Sequence, residues 1–130
     1  MTKALKFLLP AGLYYVGDPC YVISRERWGA FLDAVGAMDN SWEGGVAILD
    51  DHPAVVFHTA HGDGTYCDEA GRMYPVDAGM IGAVSVKLAR VDVWTKGVHL
   101  FEFKRLTVCT RSARGILKFG PTKIDTGEWR

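Results

Sequence analysis

Two segments of the sequence concentrate the side chains that enzymes use as nucleophiles and general bases. The first is Gly-Asp-Pro-Cys-Tyr, residues 17–21, which places a thiol and a carboxylate on a tight-turn signal. Cys20 is a candidate nucleophile, while Asp18 and Tyr21 are candidate ligand contacts. A nucleophilic thiol needs a base or a nearby positive charge, and no sequence neighbour supplies one. The alternative is a structural turn with a buried cysteine, because free cysteine is among the most buried residue types.

The second segment runs from residue 58 to residue 79 and is rich in histidine, aspartate and tyrosine. A histidine oriented by a carboxylate is the usual form of a general base, so His58, His61, Asp63 and Asp77 are candidate catalytic residues. His61 and Asp63 flank one glycine and are expected to act together. If residues 54–61 form a strand, His58 and His61 point to opposite faces, which argues against a shared metal.

Three more side chains of this segment are candidate ligand contacts, namely Tyr66, Asp68 and Tyr74. Tyr66 and Asp68 alternate onto one face of a predicted strand, and Tyr74 is expected to pair with them across a hairpin. The alternative interpretation assigns the aspartates to turns, where this residue type is common.

The C-terminal part of the chain is basic and supplies two candidate phosphate contacts, Arg105 and Arg111, since arginine suits bidentate contact with phosphate. A solvated sheet face with lysine-protected edges is the alternative. Trp42, beside a Gly-Gly pair, is a candidate for stacking on a planar ligand. The remaining tryptophans are expected in the core or in a lid; they are Trp28, Trp94 and Trp129.

Motifs of the major enzyme classes are absent from the sequence. It contains no GxGxxG, Walker loop, HExxH or GxSxG pattern, and the three cysteines form no CxxC pair. Neither a cofactor nor a metal site is therefore predicted. The odd, widely spaced cysteines and the absence of a signal peptide or a long apolar span favour a cytoplasmic protein with reduced thiols.

Length and composition favour one globular domain covering residues 1–130. Hydrophobic residues make up 48% of the chain, and its 15 basic and 15 acidic residues balance, so no global field steers it to nucleic acid or membrane. Acidic residues dominate between Asp50 and Asp77, whereas basic residues dominate between Lys87 and Lys123. These segments either mix on one surface or form opposite faces, and the sequence does not decide between the two.

Frequent glycine and proline predict short strands and turns rather than long helices. One amphipathic helix is predicted between Ser24 as N-cap and Gly36 as terminator, packed across a sheet. Strands are predicted at 13–16, 46–49, 54–60, 65–68, 73–76, 81–88, 91–94, 99–103, 106–110, 116–119 and 123–125. Hairpin turns are predicted at 62–64, 69–71, 96–97 and 114–115. The expected fold is mainly β, α+β at most: a compact antiparallel barrel or sandwich with one helix.

The Gly-Asp-Pro-Cys-Tyr-Val run at residues 17–22 resembles a group of small, mostly uncharacterised bacterial and phage proteins. So do Gly-Asp-Gly-Thr-Tyr-x-Asp-x-x-Gly-x-x-Tyr-x-Val-Asp-Ala-Gly-x-Ile-Gly at 62–82 and Phe-Gly-Pro-Thr-Lys-Ile-Asp-Thr at 119–126. The resemblance spans most of the chain in this order. It implies a bacterial or viral cytoplasmic setting, in which counter-defence roles such as capture or destruction of nucleotide signals are common. This expectation rests on the roles of other small phage proteins and not on a shared mechanism.

Three functional hypotheses follow. The first is a non-catalytic protein that binds a small polar or phosphorylated, nucleotide-like molecule, with aromatic side chains stacking on its planar part. The second is a small hydrolase acting on such a molecule through a His/Asp/Cys site. The third is a protein-interaction domain, such as an inhibitor that docks through a sheet edge or its helix. A homodimer is also an open expectation, because small pocket proteins often build sites at a two-fold interface.

Overall fold

The computed structural model of the protein describes residues 4–39, 41–90 and 98–127. In chain order its elements are β1 (Leu5–Leu9), β2 (Gly12–Gly17), a 3₁₀ turn (Pro19–Tyr21), α1 (Arg25–Val35), β3 (Gly44–Leu49), β4 (His52–His58), β5 (Gly64–Cys67), β6 (Met73–Val76), β7 (Met80–Ser85), β8 (Leu100–Phe103), β9 (Thr107–Arg111), β10 (Ile116–Phe119) and β11 (Thr122–Asp125). Of the described residues 48% are in strands and 12% are helical, so the predicted mainly β fold is confirmed.

The strands form two larger sheets and one hairpin. The four-stranded sheet has the order β1-β9-β10-β11, the five-stranded sheet has the order β3-β4-β7-β2-β8, and β5 pairs with β6. Every pairing is antiparallel. Within the described residues these sheets stay open and do not close into a barrel, so the sandwich is the fitting form of the two that were predicted.

The central strands of the five-stranded sheet, β4 and β7, are buried on both faces. Because side chains alternate along a strand, Val55 and Phe57 of β4 face the four-stranded sheet, where they meet Leu117 and Phe119. Val56, between them, belongs to the second core, which lies beneath the helix. The molecule therefore has three layers, in the order helix, five-stranded sheet, four-stranded sheet.

Helix α1 begins and ends where the sequence predicts. Ser24 holds the N-cap position in an extended conformation, without a side-chain capping bond, and Gly36 ends the helix in the left-handed region at φ 82°. Phe31 and Val35 are buried against the sheet, as their spacing predicts. Packing is close: a Cβ on Gly45 of β3 would lie 1.9 Å from the Val35 carbonyl oxygen.

Several strand predictions need correction. β1 was not predicted, and β7 ends at Ser85 because the carbonyl of Ser85 accepts hydrogen bonds from the N–H groups of Leu88 and Ala89 in a turn. Residues 62–64 do not form a hairpin turn, since they join β4 to β5 in a different sheet. The strand predicted at 91–94, the turn at 96–97, Trp94 and Trp129 lie outside the described residues.

Candidate functional site

The Asp18 carboxylate joins the Gly-Asp-Pro-Cys turn to the segment before β7. Its Oδ1 accepts a 2.8 Å hydrogen bond from the N–H of Cys20 and thereby caps the 3₁₀ turn. Its Oδ2 accepts 2.7 Å bonds from the N–H groups of Asp77 and Ala78. Asp18 is fully buried, and the Tyr15 hydroxyl binds its carbonyl oxygen at 2.9 Å. With both oxygens occupied by backbone donors, Asp18 positions the site rather than contacting a ligand.

Cys20 lies in surroundings that disfavour the thiolate. Burial raises the pKa of the Cys20 thiol to about 12, and the nearby carboxylates of Asp18, Asp77 and Asp63 act in the same direction. Negative charge next to a sulfur opposes its ionisation, whereas nucleophilic cysteines sit near positive charge. The geometry therefore favours the structural interpretation of this cysteine.

Tyr21 and Asp77 form a polar pair next to Cys20. The Tyr21 hydroxyl donates a hydrogen bond to the Asp77 carboxylate. Burial, and then this bond, raise the pKa of the Tyr21 phenol. Tyr21 is half-buried and Asp77 is exposed, so the pair lies at the surface. One oxygen of the Asp77 carboxylate already accepts the hydrogen bond from Tyr21. Two residues predicted as one ligand contact and one catalytic group are thus brought together.

His58 and Asp63 approach the same glycine from different segments. A Cβ on Gly79 would lie 3.6 Å from His58 Nε2 and 3.9 Å from Asp63 Oδ1. No hydrogen bond joins the His58 ring to a carboxylate of the described residues. The two groups are neighbours, but they lack the direct contact that orients a general base.

The predicted pairing of His61 with Asp63 stays a prediction, and the two residues flank Gly62 in the described chain. His61 is exposed, and its Nε2 lies 3.1 Å from the Gly127 carbonyl oxygen. Gly62 between them adopts φ 72°, a left-handed conformation that turns the chain. Because β4 ends at His58, the argument from opposite strand faces does not apply to His61.

A cleft of about 410 Å³ opens between α1 and the end of β4. Its lining combines two indole rings, an imidazole, a carboxylate and small apolar groups: Trp28, Leu32, Ala37, Asp39, Trp42, His58, Ala78 and Met80. The Trp42 ring meets the His58 ring edge-on, with centroids 6.2 Å apart at 87°. Trp42 Nε1 donates a 2.8 Å hydrogen bond to the Val35 carbonyl, which fixes the indole. We call this the tryptophan cleft.

Asp68 organises the β5–β6 hairpin. Its carboxylate accepts hydrogen bonds from the N–H groups of Ala70 and Arg72, from Arg72 Nε and from the Tyr74 hydroxyl, at 2.7–2.9 Å. Burial acts to raise the pKa of Asp68, but these hydrogen bonds and the Arg72 charge outweigh it and lower the pKa. Tyr66 lies opposite Tyr74 in the register and donates to the Gly62 carbonyl at 2.9 Å. Asp68 and Tyr74 thus bind each other inside the fold, whereas Tyr66 binds the backbone of Gly62.

The two candidate arginines are not part of the tryptophan cleft. Arg105 is exposed in the connection between β8 and β9. Arg111 is buried, and its Nε donates a 2.7 Å hydrogen bond to the His58 carbonyl. Burial lowers the pKa of Arg111, and the Glu43 charge opposes this change. Arg111 therefore stabilises the end of β4 through the His58 carbonyl and does not line the tryptophan cleft.

Sequence reasoning assigned no ligand role to Trp28 or Asp39, both of which line the cleft. The helical spacing that predicts Trp28 on the buried face is correct, but the residue lies near the margin of that face and is only partly buried. Asp39 follows the helix and binds the N–H and hydroxyl of Ser41. Its position beside Trp42 depends on that local loop, which carries no motif.

Comparisons with known proteins add no family to this picture. No protein-family model matches the chain, and neither the curated proteins nor the solved structures give a match. Among the described residues, no three His, Cys, Asp or Glu side chains gather in a way that could hold a metal ion. The one helix of the described part is too short to cross a membrane.

Proposed function

We propose that this protein binds the planar, nitrogen-rich part of a nucleotide-like molecule in the tryptophan cleft, without changing it chemically. The observation that carries the proposal is the cleft lining, in which Trp28, Trp42 and His58 surround a space of about 410 Å³. A volume of this order falls within the range of small-molecule sites, about 300–1,000 Å³. Stacking on an aromatic ring favours any base, since every base presents a π-face.

The charges around the cleft select for a donor-rich base rather than for phosphate. Asp39 lines the tryptophan cleft, and Asp77 precedes the lining residue Ala78. The Asp63 carboxylate is close to Gly79, the residue after Ala78. Carboxylates accept hydrogen bonds from the N–H groups of a base but repel phosphate oxygens. Because Arg105 and Arg111 do not line the cleft, any phosphates of the ligand would point to solvent.

Binding without turnover is favoured by the state of the reactive groups. The Cys20 thiol is held protonated at neutral pH by burial and by its carboxylate neighbours. Capture of this kind suits the removal of a nucleotide signal, the counter-defence role that the resemblance to bacterial and phage proteins implies. That role rests on the resemblance alone.

Hydrolysis is the second candidate, and the approach of His58 and Asp63 to Gly79 favours it. Closure of that pair around a bound substrate would create an oriented base. Binding and hydrolysis differ in what is recovered: intact ligand in the first case, cleaved product in the second.

Calorimetric titration with adenosine, guanosine, cytidine and uridine, each compared with its 5′-monophosphate, tests the proposal. We expect at least one nucleoside to bind as tightly as its monophosphate or more tightly, and to be recovered intact by mass spectrometry. Trp28→Leu should weaken binding about tenfold or more, since stacking contributes about 1–3 kcal/mol per base. Ala78→Leu, which fills the cleft, should abolish binding.

The matched control is Ile48→Ala, because Ile48 is 72% exposed on β3 and lies outside the cleft lining. Equal binding by this variant and the wild type, with loss in Ala78→Leu, supports the site. Binding that survives both Trp28→Leu and Ala78→Leu would refute it. Recovery of cleaved product would replace binding with hydrolysis.

A further inference from the structure

The outer face of the four-stranded sheet carries three lysines in one row. The register pairs Lys6 of β1 with Thr110 of β9, Thr110 with Lys118 of β10, and Lys118 with Lys123 of β11. Residues paired across neighbouring strands point to the same face, about 5 Å apart. Lys6, Lys118 and Lys123 therefore stand on one line that crosses the whole sheet.

The register places one carboxylate on this face beside the row, that of Asp125, which pairs with Ile116 and follows Lys123 by two residues, so the three lysines outnumber it. The two ion pairs among the described residues are Arg27–Asp50 and Arg72–Asp68, and neither includes one of the three lysines. Like charges directly opposite each other in a sheet are destabilising, and Lys118 and Lys123 are such a pair. Protection of sheet edges accounts for lysines on β1 and β11, but Lys118 lies on an inner strand. Edge protection therefore does not account for Lys118, which is exposed on the outer face.

The row borders a cleft of about 370 Å³ that holds hydroxyl groups as well as ammonium groups. Thr110, Arg111 and Ser112 line it together with the three lysines. Ser112 Oγ accepts hydrogen bonds from the N–H groups of Arg114 and Ile116, which leaves its own hydrogen to donate. Ammonium and hydroxyl donors converging on one space make a site for oxygen anions. We call this the lysine cleft.

We propose that the lysine cleft binds a compact polyanion, namely a di- or triphosphate chain, free or carried on a nucleotide. It would be a second site, since it shares no lining residue with the tryptophan cleft. Three positive charges within one small space match the closely spaced charges of such a chain. Among the described lining residues there is no aromatic ring, so the stacking that holds single-stranded nucleic acid is missing. A second copy of this chain, docked on the same face by a two-fold axis, would set lysines against lysines.

Calorimetric titration with inorganic tripolyphosphate tests the proposal, and ATP is titrated in parallel. Lys118→Gln should weaken tripolyphosphate binding about tenfold, the loss expected for one hydrogen bond to a charged group. The variant with all three lysines changed to glutamine should not bind. Equal affinity for tripolyphosphate and ATP would mean that free phosphate chains suffice, whereas tighter ATP binding would mean that the carrier adds contacts.

Lys104→Gln is the matched control, because Lys104 is exposed in the connection between β8 and β9 and does not line the cleft. An equal loss in Lys104→Gln and Lys118→Gln would reduce the effect to net charge and overturn the site. Undiminished binding by the triple variant would overturn it as well, and so would tighter binding of a single-stranded DNA oligonucleotide than of tripolyphosphate. Melting curves give a second readout: tripolyphosphate should raise Tm less in Lys118→Gln than in the wild type, and not at all in the triple variant.

Discussion

The Asp18 carboxylate accepts a 2.7 Å hydrogen bond from the backbone N–H of Asp77, 59 residues farther along the chain. This contact fixes the segment that carries Ala78 into the tryptophan cleft, and the same oxygen also binds the N–H of Ala78. One buried side chain thus sets the distance between the turn at residues 17–21 and the wall of the candidate site.

Replacement of the Asp18 carboxylate should destabilise the contact between the turn at residues 17–21 and the segment at residues 77–78. Asp18→Asn keeps the shape but sets an amide N–H₂ group against a backbone N–H, so that a buried donor is left without an acceptor. We expect a loss of about 3 kcal/mol in the free energy of unfolding, measured by urea denaturation. Asp33→Asn, on the exposed side of α1, is the control and should change stability by less than about 0.5 kcal/mol. Equal stability of the two variants would contradict the structural role of Asp18.

The Tyr74 hydroxyl should contribute stability in a pH-dependent way. The folded-state pKa of Asp68 lies below its ordinary value of 3.8. Its carboxylate therefore stabilises the fold above about pH 4, and this contribution is lost as the pH falls through the folded-state pKa. Tyr74→Phe removes one donor to Asp68 and should cost about 1.5 kcal/mol near pH 7.

That difference between wild type and Tyr74→Phe should shrink as the pH falls through the folded-state pKa of Asp68, because protonation removes the charge to which the Tyr74 hydroxyl donates. Tyr14→Phe serves as the comparison, since the Tyr14 hydroxyl donates to the neutral Pro10 carbonyl. Its cost should stay constant over the same range. A constant difference for both variants would show that Tyr74 does not act through the Asp68 charge.

Cys20 should react slowly with iodoacetamide. Its pKa of about 12, against 9.0 for an ordinary thiol, lowers the thiolate fraction near pH 8 by roughly a hundredfold to a thousandfold. Peptide mapping by mass spectrometry gives the alkylation rate of Cys20 in the folded chain and in urea. Asp77→Asn should speed the folded-state reaction, because one of the opposing carboxylates is gone. An equal rate for Cys20 in the folded chain and in urea would contradict this expectation and support the hypothesis that Cys20 is a nucleophile.

Two glycines should respond to alanine with opposite signs. A Cβ on Gly45 would lie 1.9 Å from the Val35 carbonyl oxygen, so Gly45→Ala must push α1 off the sheet. We expect a loss of about 3 kcal/mol or more. Gly29 is exposed within α1 and has open space around it. Gly29→Ala should stabilise the protein by about 1 kcal/mol through helix propensity. Thermal melts of both variants suffice, and loss of stability in both would contradict this packing.

Features that depend on neighbouring residues could be predicted from the sequence. Helix α1 was predicted at its true limits because Ser24, Gly36 and the apolar spacing between them are local signals. Strands β6 and β10 were predicted with the observed bounds for the same reason. β1 escaped prediction because the exposed Leu8 interrupts the alternation of apolar and polar side chains, and because β1 gains its order from β9, far along the chain.

The candidate site shows the same limit. His61 and Asp63 were paired because they are close in sequence, whereas the common approach of His58 and Asp63 to Gly79 joins segments that no local pattern connects. The partners of Asp18 lie in a segment that no local pattern connects to it. Likewise, the lysine row depends on the register of four strands, which sequence periodicity does not give.

The pairing of β1 with β9 has a consequence for synthesis on the ribosome. Leu5 meets Arg111 and Leu9 meets Thr107, so the first strand must wait for almost all of the described chain to emerge. Until then the backbone of β1 lacks its hydrogen-bonding partner. Long-range pairing of this kind slows folding, because the loop must close before its contacts form. Emergence of β9, β10 and β11 from the ribosome, rather than the appearance of any early segment, therefore precedes the assembly of the lysine row.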